Sequence, residues 1–291
     1  VPEITASHAA EVEGLPVRRA LPRRARRTVG PWCFVDHFGP VPAAGADGMQ
    51  VGPHPHIGLH TVTWLLEGEV LHTDSLGSEQ LIRPGQVNLM TAGGGVAHAE
   101  SARPASGLHG AQLWVAQPEA TRHGPAGFVH LPELPSIELG GATATVLVGT
   151  LAEGPTSPAP TDWPLVGASL SVRAGRSALA LDAAFEHALV VLEGAVAVDG
   201  DALTPGHLAH LPPGADAVEL GATEPATVLL LGGRPFEVEP LMWWNFVARE
   251  RAEVEAARAD WEAGHDRYGS VATPLARIPA PATPWRTPPS A

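Results

Sequence analysis

PHPHIGLHTVTWLLEGEVLHTDSLGSEQLIRPGQVNLMTAGGGVAHAE, residues 53 to 100, carries two pairs of ligand-type side chains at one spacing: His54 and His56 near its start, His98 and Glu100 at its end. Residues i and i+2 of a strand point to the same face, so each pair aims two ligand atoms in one direction. Two such strands facing each other would place three imidazoles and one carboxylate around a single metal ion. The intervening sequence suits strands, because Gly58 to Leu66 (GLHTVTWLL) and Gln86 to Met90 (QVNLM) are rich in apolar and β-branched residues and are bounded by glycine and proline. If the first strand is continuous, His54 and His56 share a face with Val62, Trp64 and Leu66, and that face turns toward a barrel interior.

The same pattern recurs downstream. LLEGEV (65 to 70) precedes IRPGQVNLM (82 to 90), and VLEGAV (191 to 196) precedes LTPGHLAHL (203 to 211), which reads as an internal repeat. The chain has 291 residues, enough for two β-barrels of ordinary size, and its 32 glycines and 30 prolines suit many short strands joined by turns rather than a helix bundle. The expectation is an all-β chain of two tandem barrels, residues 1–130 holding the metal and residues 131–291 forming the second domain. GPTSPAPTDWP (154 to 164) is read as a loop within that second barrel.

In the second copy Phe185, Glu186 and His187 stand where the first ligand pair is sought, and Pro212, Pro213 and Gly214 where the second is sought. His187, His207 and His210 make no opposed i, i+2 pairs, so this barrel is expected to bind no metal and to serve a structural role. Beyond it, residues 240 to 262 place Met242, Trp243, Phe246, Val247 and Val254 among arginines and glutamates, a helical pattern with one apolar side. The stretch from 272 to 291 is a proline-rich tail.

Composition bounds the function classes. No run reaches the roughly 18 apolar residues of a membrane helix, and residues 1 to 14 show no basic region followed by an apolar core, so neither membrane insertion nor a secretory signal is expected. The single cysteine, Cys33, sits in the apolar run PWCFV and reads as a packing residue. A chain without disulfides is assigned to the cytoplasm by default. The net charge of −13 argues against direct binding of nucleic acid. Six arginines crowd into residues 18 to 27 of a chain without lysine, and a structural role is favoured for them over a polyanion patch.

The 53–100 stretch resembles the metal-binding cupin domain of pirins. RRALPRRARRTVGPWCFVDHFGP (18 to 40) and GGRPFEVEPLMWWNFV (232 to 247) resemble the N-terminal and C-terminal parts of the same family, so the likeness covers nearly the whole chain. It implies a bicupin of two jelly-roll-type barrels with a short C-terminal helix and a tail laid partly against the body through Pro279 and Trp285. It also implies an iron site formed by His54, His56, His98 and Glu100, the four residues that spacing alone singles out. One departure is visible: the ordinary cupin signature has a glutamate ligand four or five residues after its second histidine, where this chain has His60 and Thr61. Glu100 then takes the carboxylate role, and His60 is left as a residue supporting the site, a substrate contact or a strand residue.

Imidazole and carboxylate ligands suit Fe(II) best, with Mn, Co, Ni, Cu and Zn compatible by ligand type, and two open positions on an octahedral ion would remain. By resemblance, the candidate activity is O₂-dependent cleavage of flavonols, the quercetin 2,3-dioxygenase reaction, with a small aromatic substrate and Glu100 as the catalytic base. A second class, also implied by the family, is a non-enzymatic regulator whose affinity for a transcription factor or metabolic enzyme follows the metal's redox state. Sugar or small-acid isomerisation, common among cupins, is a weaker third. A wide mouth would mark the enzyme and a nearly closed iron the sensor. The chain is expected to act as a monomer. Asp36, His37 and Gly93 to Gly95 are read as supporting the site, and Met90 and Thr91 as lining it.

Overall fold

The computed structural model describes residues 1–42, 49–103 and 107–285. Each half of the chain builds one barrel from a seven-stranded and a four-stranded antiparallel sheet. In the first, the seven-stranded sheet runs in the spatial order Gly127–Leu131, Val87–Thr91, Leu59–Glu67, Leu108–Ala116, Trp32–Val41, Leu15–Leu21, His8–Val12. Its four-stranded sheet is Gln50–His56, Val96–Ala102, Val70–Asp74, Glu79–Ile82. The second barrel repeats this plan, with Gly175–Ala180, Ala217–Ala222, Val196–Val198 and Asp201–Leu203 as its smaller sheet. One strand departs from a division at residue 130: Glu3–Ala6 pairs with His207–Leu211 and so belongs to the second barrel's sheet.

The repeat locates the counterparts of the ligand strands differently from the sequence reading. By sheet order they are Gly175–Ala180 and Ala217–Ala222, not residues 185–187 and 212–214. Leu179, Val218 and Leu220 on these strands are buried in the second barrel's apolar core together with Leu189, Val191 and Val228. Aliphatic side chains thus fill the space that the histidines line in the first copy.

The first strand is not continuous either. Gln50–His56 lies in the small sheet and Leu59–Glu67 in the large one, and the chain changes sheets at Ile57–Gly58, where Gly58 takes φ +68° and a Cβ would meet the Val247 carbonyl. Only glycine fits there without strain. The break reverses the expected facing. Val62 and Trp64 pack between the two barrels with Leu147, Leu165, Val190 and Leu229 of the second half, whereas Thr63 faces the interior.

The C-terminal arm also differs from its reading as one helix from residue 240. Leu241–Trp243 and Phe246–Ala248 form a β-hairpin, and the helix starts only at Arg251, ending at Glu262. The aromatic and aliphatic residues alternate on the hairpin before the helical period begins, so both apolar patterns merged in the sequence. The arm returns to the first barrel: Phe246, Val254, Trp261 and Tyr268 bury with Ile57 and Ala97. Ile278 N–H donates to Pro53 O at 2.9 Å, which lays the first part of the tail against a ligand strand. Residues 286–291 of the expected tail lie outside the described residues.

Among the clustered arginines, Arg18 donates to Gly39 O, Arg19 pairs with Asp36, Arg26 with Glu3 and Arg27 with Glu239. Cys33 is fully buried and its thiol is pushed up to about 12 by that burial, so it is inert packing. No helix among the described residues is long and apolar enough to cross a membrane.

Two histidines outside the ligand pairs are buried in neutral form. His37, in the large sheet of the first barrel, is lowered to about 3 by burial, with Arg18 and His109 adding to it. His187, in the second barrel, is lowered to about 4, mainly by burial. A folded-state value below the ordinary 6.5 means that the unfolded chain binds more protons between about pH 6.5 and 4. Stability is therefore full above 6.5 and falls with pH through that window, each group contributing up to ~1.4 kcal/mol per pH unit. The melting temperature of the metal-free protein should drop steadily from pH 7 to pH 5. A flat profile would contradict the buried neutral state of these rings.

Candidate metal centre

The strands Gln50–His56 and Val96–Ala102 pair antiparallel with His54 opposite His98 and His56 opposite Val96. On the other edge of Val96–Ala102, the strand Val70–Asp74 sets Asp74 opposite His98 and His72 opposite Glu100. A register shift between His98 and Glu100 bends the central strand at the site, as bulges commonly do beside functional groups.

Ligand nitrogens of His54, His56 and His98 lie within 4.8 Å of one another, and all three residues are buried. His98 also belongs to a second set with His72 and Glu100 within the same limit. Glu100 is thus brought against His98 and His72, and the two sets meet at His98. His72 was not singled out in the sequence, although His72 and Asp74 form a third i, i+2 pair within the decisive stretch.

Hydrogen bonding fixes which nitrogens are free. His54 Nδ1 lies 2.9 Å from Gly52 O, and His56 Nδ1 3.1 Å from Asn245 O. A carbonyl only accepts, so both rings carry their proton on Nδ1 and leave Nε2 bare. Burial holds His54 down to about 4 and takes His56 and His98 well below the usual histidine value, with neighbouring histidines adding to it. At neutral pH the cluster offers uncharged nitrogens and no proton to satisfy them, which fits a divalent transition metal held by imidazole nitrogens with a carboxylate alongside.

Glu100 keeps partial exposure, and burial raises its carboxyl above the ordinary value despite the opposing influence of His72. It lines, with the three histidines, a cavity of about 450 Å³. Phe34 and Trp114 form another wall, stacked with ring centroids 4.0 Å apart and planes 14° apart, and Trp114 and His56 meet edge to face with centroids 5.2 Å apart. Met242, Trp243 and Trp244 of the C-terminal hairpin and its turn close a further side. Asn245 helps orient His56 only through its backbone oxygen, so no side-chain pattern could have announced it.

Of the residues expected to support the site, Asp36 faces the cavity and takes a two-pronged pair from Arg19 at 2.7 and 2.6 Å. Burial pushes the Asp36 carboxyl up against the pull of that guanidinium. His37, one residue on, points the other way, its Nε2 2.9 Å from His109 Nε2, whose Nδ1 reaches Glu193 of the second barrel at 3.3 Å. His60 likewise faces away from the cluster. Its Nδ1 lies 2.9 Å from Thr91 Oγ1 and its Nε2 3.1 Å from Asp162 Oδ1. Burial alone would raise the Asp162 carboxyl, but bonds from His60, Thr121 and Gln117 outweigh it and hold it below the usual range. Met90 is core, and Gly93 packs against the Gly124 backbone, so neither they nor Thr91 line the cavity. Alternation along a strand explains why His37 turns away where Asp36 faces in, since one of two neighbours must point away.

Residues 14–115 match the sequence model of the family described as Pirin, and residues 168–267 that of the Pirin C-terminal cupin domain. A Pseudomonas aeruginosa protein that carries the provisional name quercetin 2,3-dioxygenase is 46% identical over 284 residues, spanning 96% of this chain and 90% of that protein. A pirin-like protein of Caulobacter vibrioides is 42% identical over 261 residues, spanning 85% and 88%. The crystal structure of a quercetin 2,3-dioxygenase from Acinetobacter baumannii superposes with a TM-score of 0.94 at 43% identity, over 99% of this chain and 97% of that one.

Proposed function

Since this chain belongs to the pirin family of bicupins, we propose that it is a divalent-metal-dependent dioxygenase of quercetin-like flavonols, with Fe(II) as its working metal. The observation that carries this reading is the cavity itself: about 450 Å³ beside the histidine cluster, within the roughly 300–1,000 Å³ of small-molecule sites, with the stacked Phe34–Trp114 pair among its lining residues. His54, His56, His98 and Glu100 would hold the ion, which when bound supplies a Lewis acid for a flavonol hydroxyl and a place to activate O₂.

The protein's own groups have separable tasks. Trp114, backed on one face by Phe34, offers its remaining surface to a planar aromatic substrate, and Phe34 offers only its edge, because Arg19 lies over its other face at 4.5 Å. Gln112 stands two residues along the strand from Trp114, roughly 7 Å away, and accepts from Thr63 Oγ1 at 3.0 Å. With the Arg19–Asp36 pair it gives the cavity a polar end for the distal hydroxyls of a polyphenol. Glu100, with its carboxyl raised by burial, accepts the proton of the substrate hydroxyl. The hairpin tryptophans limit water at the reacting carbon. A cavity of this size, with aromatic lining beside the cluster, favours the catalytic reading over a purely regulatory one.

Glu100→Gln separates the base from the fold. The isosteric amide keeps most of the metal but cannot take a proton, so the rate of quercetin bleaching should fall at least ~100-fold. An unchanged rate in a metal-replete variant would remove Glu100 from the role of base.

A further inference from the structure

His72 and Asp74 sit behind the cluster and are almost wholly buried, yet the proposed chemistry gives them no task. The geometry points to a positioning pair: we propose that Asp74, acting through His72, fixes the tautomer and orientation of His98 so that its Nε2 lone pair faces the metal. The inference rests on the metal centre proposed above.

The chain of atoms has one consistent polarity. Asp74 Oδ1 accepts the backbone N–H groups of Leu76 and Ser78, both at 2.9 Å, closing the turn after the strand. Its Oδ2 lies 3.0 Å from His72 Nε2, and an ionised carboxylate only accepts, so the proton is on His72 Nε2. With one proton on the ring, the Nδ1 of His72 is then bare. It faces His98 Nδ1 at 3.3 Å, which must therefore be the donor.

That leaves His98 Nε2 bare as well, 3.1 Å from the Nε2 of His56, which is bare because His56 Nδ1 donates to Asn245 O. Two lone pairs face each other at 3.1 Å, an arrangement that a cation bound to both relieves. The His72 ring is kept in plane by stacking on Phe128, with centroids 4.4 Å apart and planes 14° apart. Carboxylates that orient a metal-bound histidine act in this way, usually without an intervening ring.

Asp74→Asn is predicted to reverse the chain. The Leu76 and Ser78 N–H groups hold an oxygen on their side, so the amide nitrogen must face His72 Nε2 and donate to it. His72 then carries its proton on Nδ1, His98 Nδ1 must accept, and His98 Nε2 acquires the proton that excludes a metal. The turn contacts are unaffected.

Co(II), added alone to the metal-free protein, reports affinity by titration and ligand set by its visible ligand-field bands. Asp74→Asn should weaken Co(II) binding ~10–100-fold with the circular dichroism and melting of the metal-free protein unchanged. His72→Phe, which preserves the stack on Phe128, should weaken binding comparably and at saturating Co(II) give the wild-type bands. Loss of one imidazole from that spectrum would make His72 a ligand and overturn the positioning role. The double variant should bind no more weakly than His72→Phe, because without an imidazole at 72 the amide has no ring nitrogen to reverse. Additive losses would assign Asp74 to the turn alone. Wild-type affinity in Asp74→Asn overturns the inference and leaves the metal centre standing, whereas a wild-type protein that binds no Co(II) removes the centre and the inference with it.

Discussion

His56→Ala releases the metal and leaves both barrels folded. His56 is one of the three clustered imidazoles, its Nε2 3.1 Å from that of His98 and its ring against Trp114. Removing it takes away one of the three imidazoles and opens the cavity to water on that side. Loss of a ligand should exceed the ~10–100-fold cost of losing a group that merely orients one, so the purified variant should carry almost no metal. The fold survives because the sheet ladders and the apolar clusters of the two barrels hold them together. Metal content and the far-ultraviolet spectrum of the variant check both halves of the statement, and an unfolded apo protein would contradict the second.

Trp32→Ala should be the most damaging single change to stability. The ring is fully buried in the layer shared by the two large sheets, and its Nε1 donates to Val166 O at 3.1 Å and Gly232 O at 3.0 Å across the barrel boundary. Gly167 makes room for it, since a Cβ there would stand 2.7 Å from the indole. Truncation removes the packing and both hydrogen bonds of the indole, for an expected loss of ~3–5 kcal/mol. Trp32→Phe keeps most of the buried area and should cost about 1 kcal/mol through the lost indole hydrogen bonds. Urea unfolding measures both. A Trp32→Ala variant within about 0.5 kcal/mol of wild type, the range of ordinary surface changes, would mean that the barrels do not depend on this contact.

The fold was legible wherever local pattern and tertiary outcome coincide. The repeated LEG and PG turns mark two barrels of the same plan, and the two i, i+2 pairs do fall on neighbouring strands of one sheet. The sequence was opaque where one residue redirects the chain. Gly58 reads as a strand boundary, but only its positive φ shows that the chain leaves one sheet for the other, and with it every facing along Leu59–Glu67 is reversed. The same limit applies to Asp36 and His37, adjacent in sequence and opposite in direction. Residues 240–250 misled differently, because their aromatic spacing satisfies a helix and a short hairpin equally well until the turn at Trp244–Asn245 is seen. His72 and Asp74 carried a usable signal in their spacing, which needed only to be counted with the other two pairs. The carbonyl of Asn245 carried none.

The central claim is that the histidine cluster and the aromatic cavity act together on a flavonol. O₂ consumption by the Fe(II)-loaded protein with quercetin, alongside His56→Ala under the same loading, tests it most directly. Uptake that requires both quercetin and metal and is lost in the variant is the predicted result. A fully loaded wild-type protein that consumes no O₂ with quercetin would contradict it.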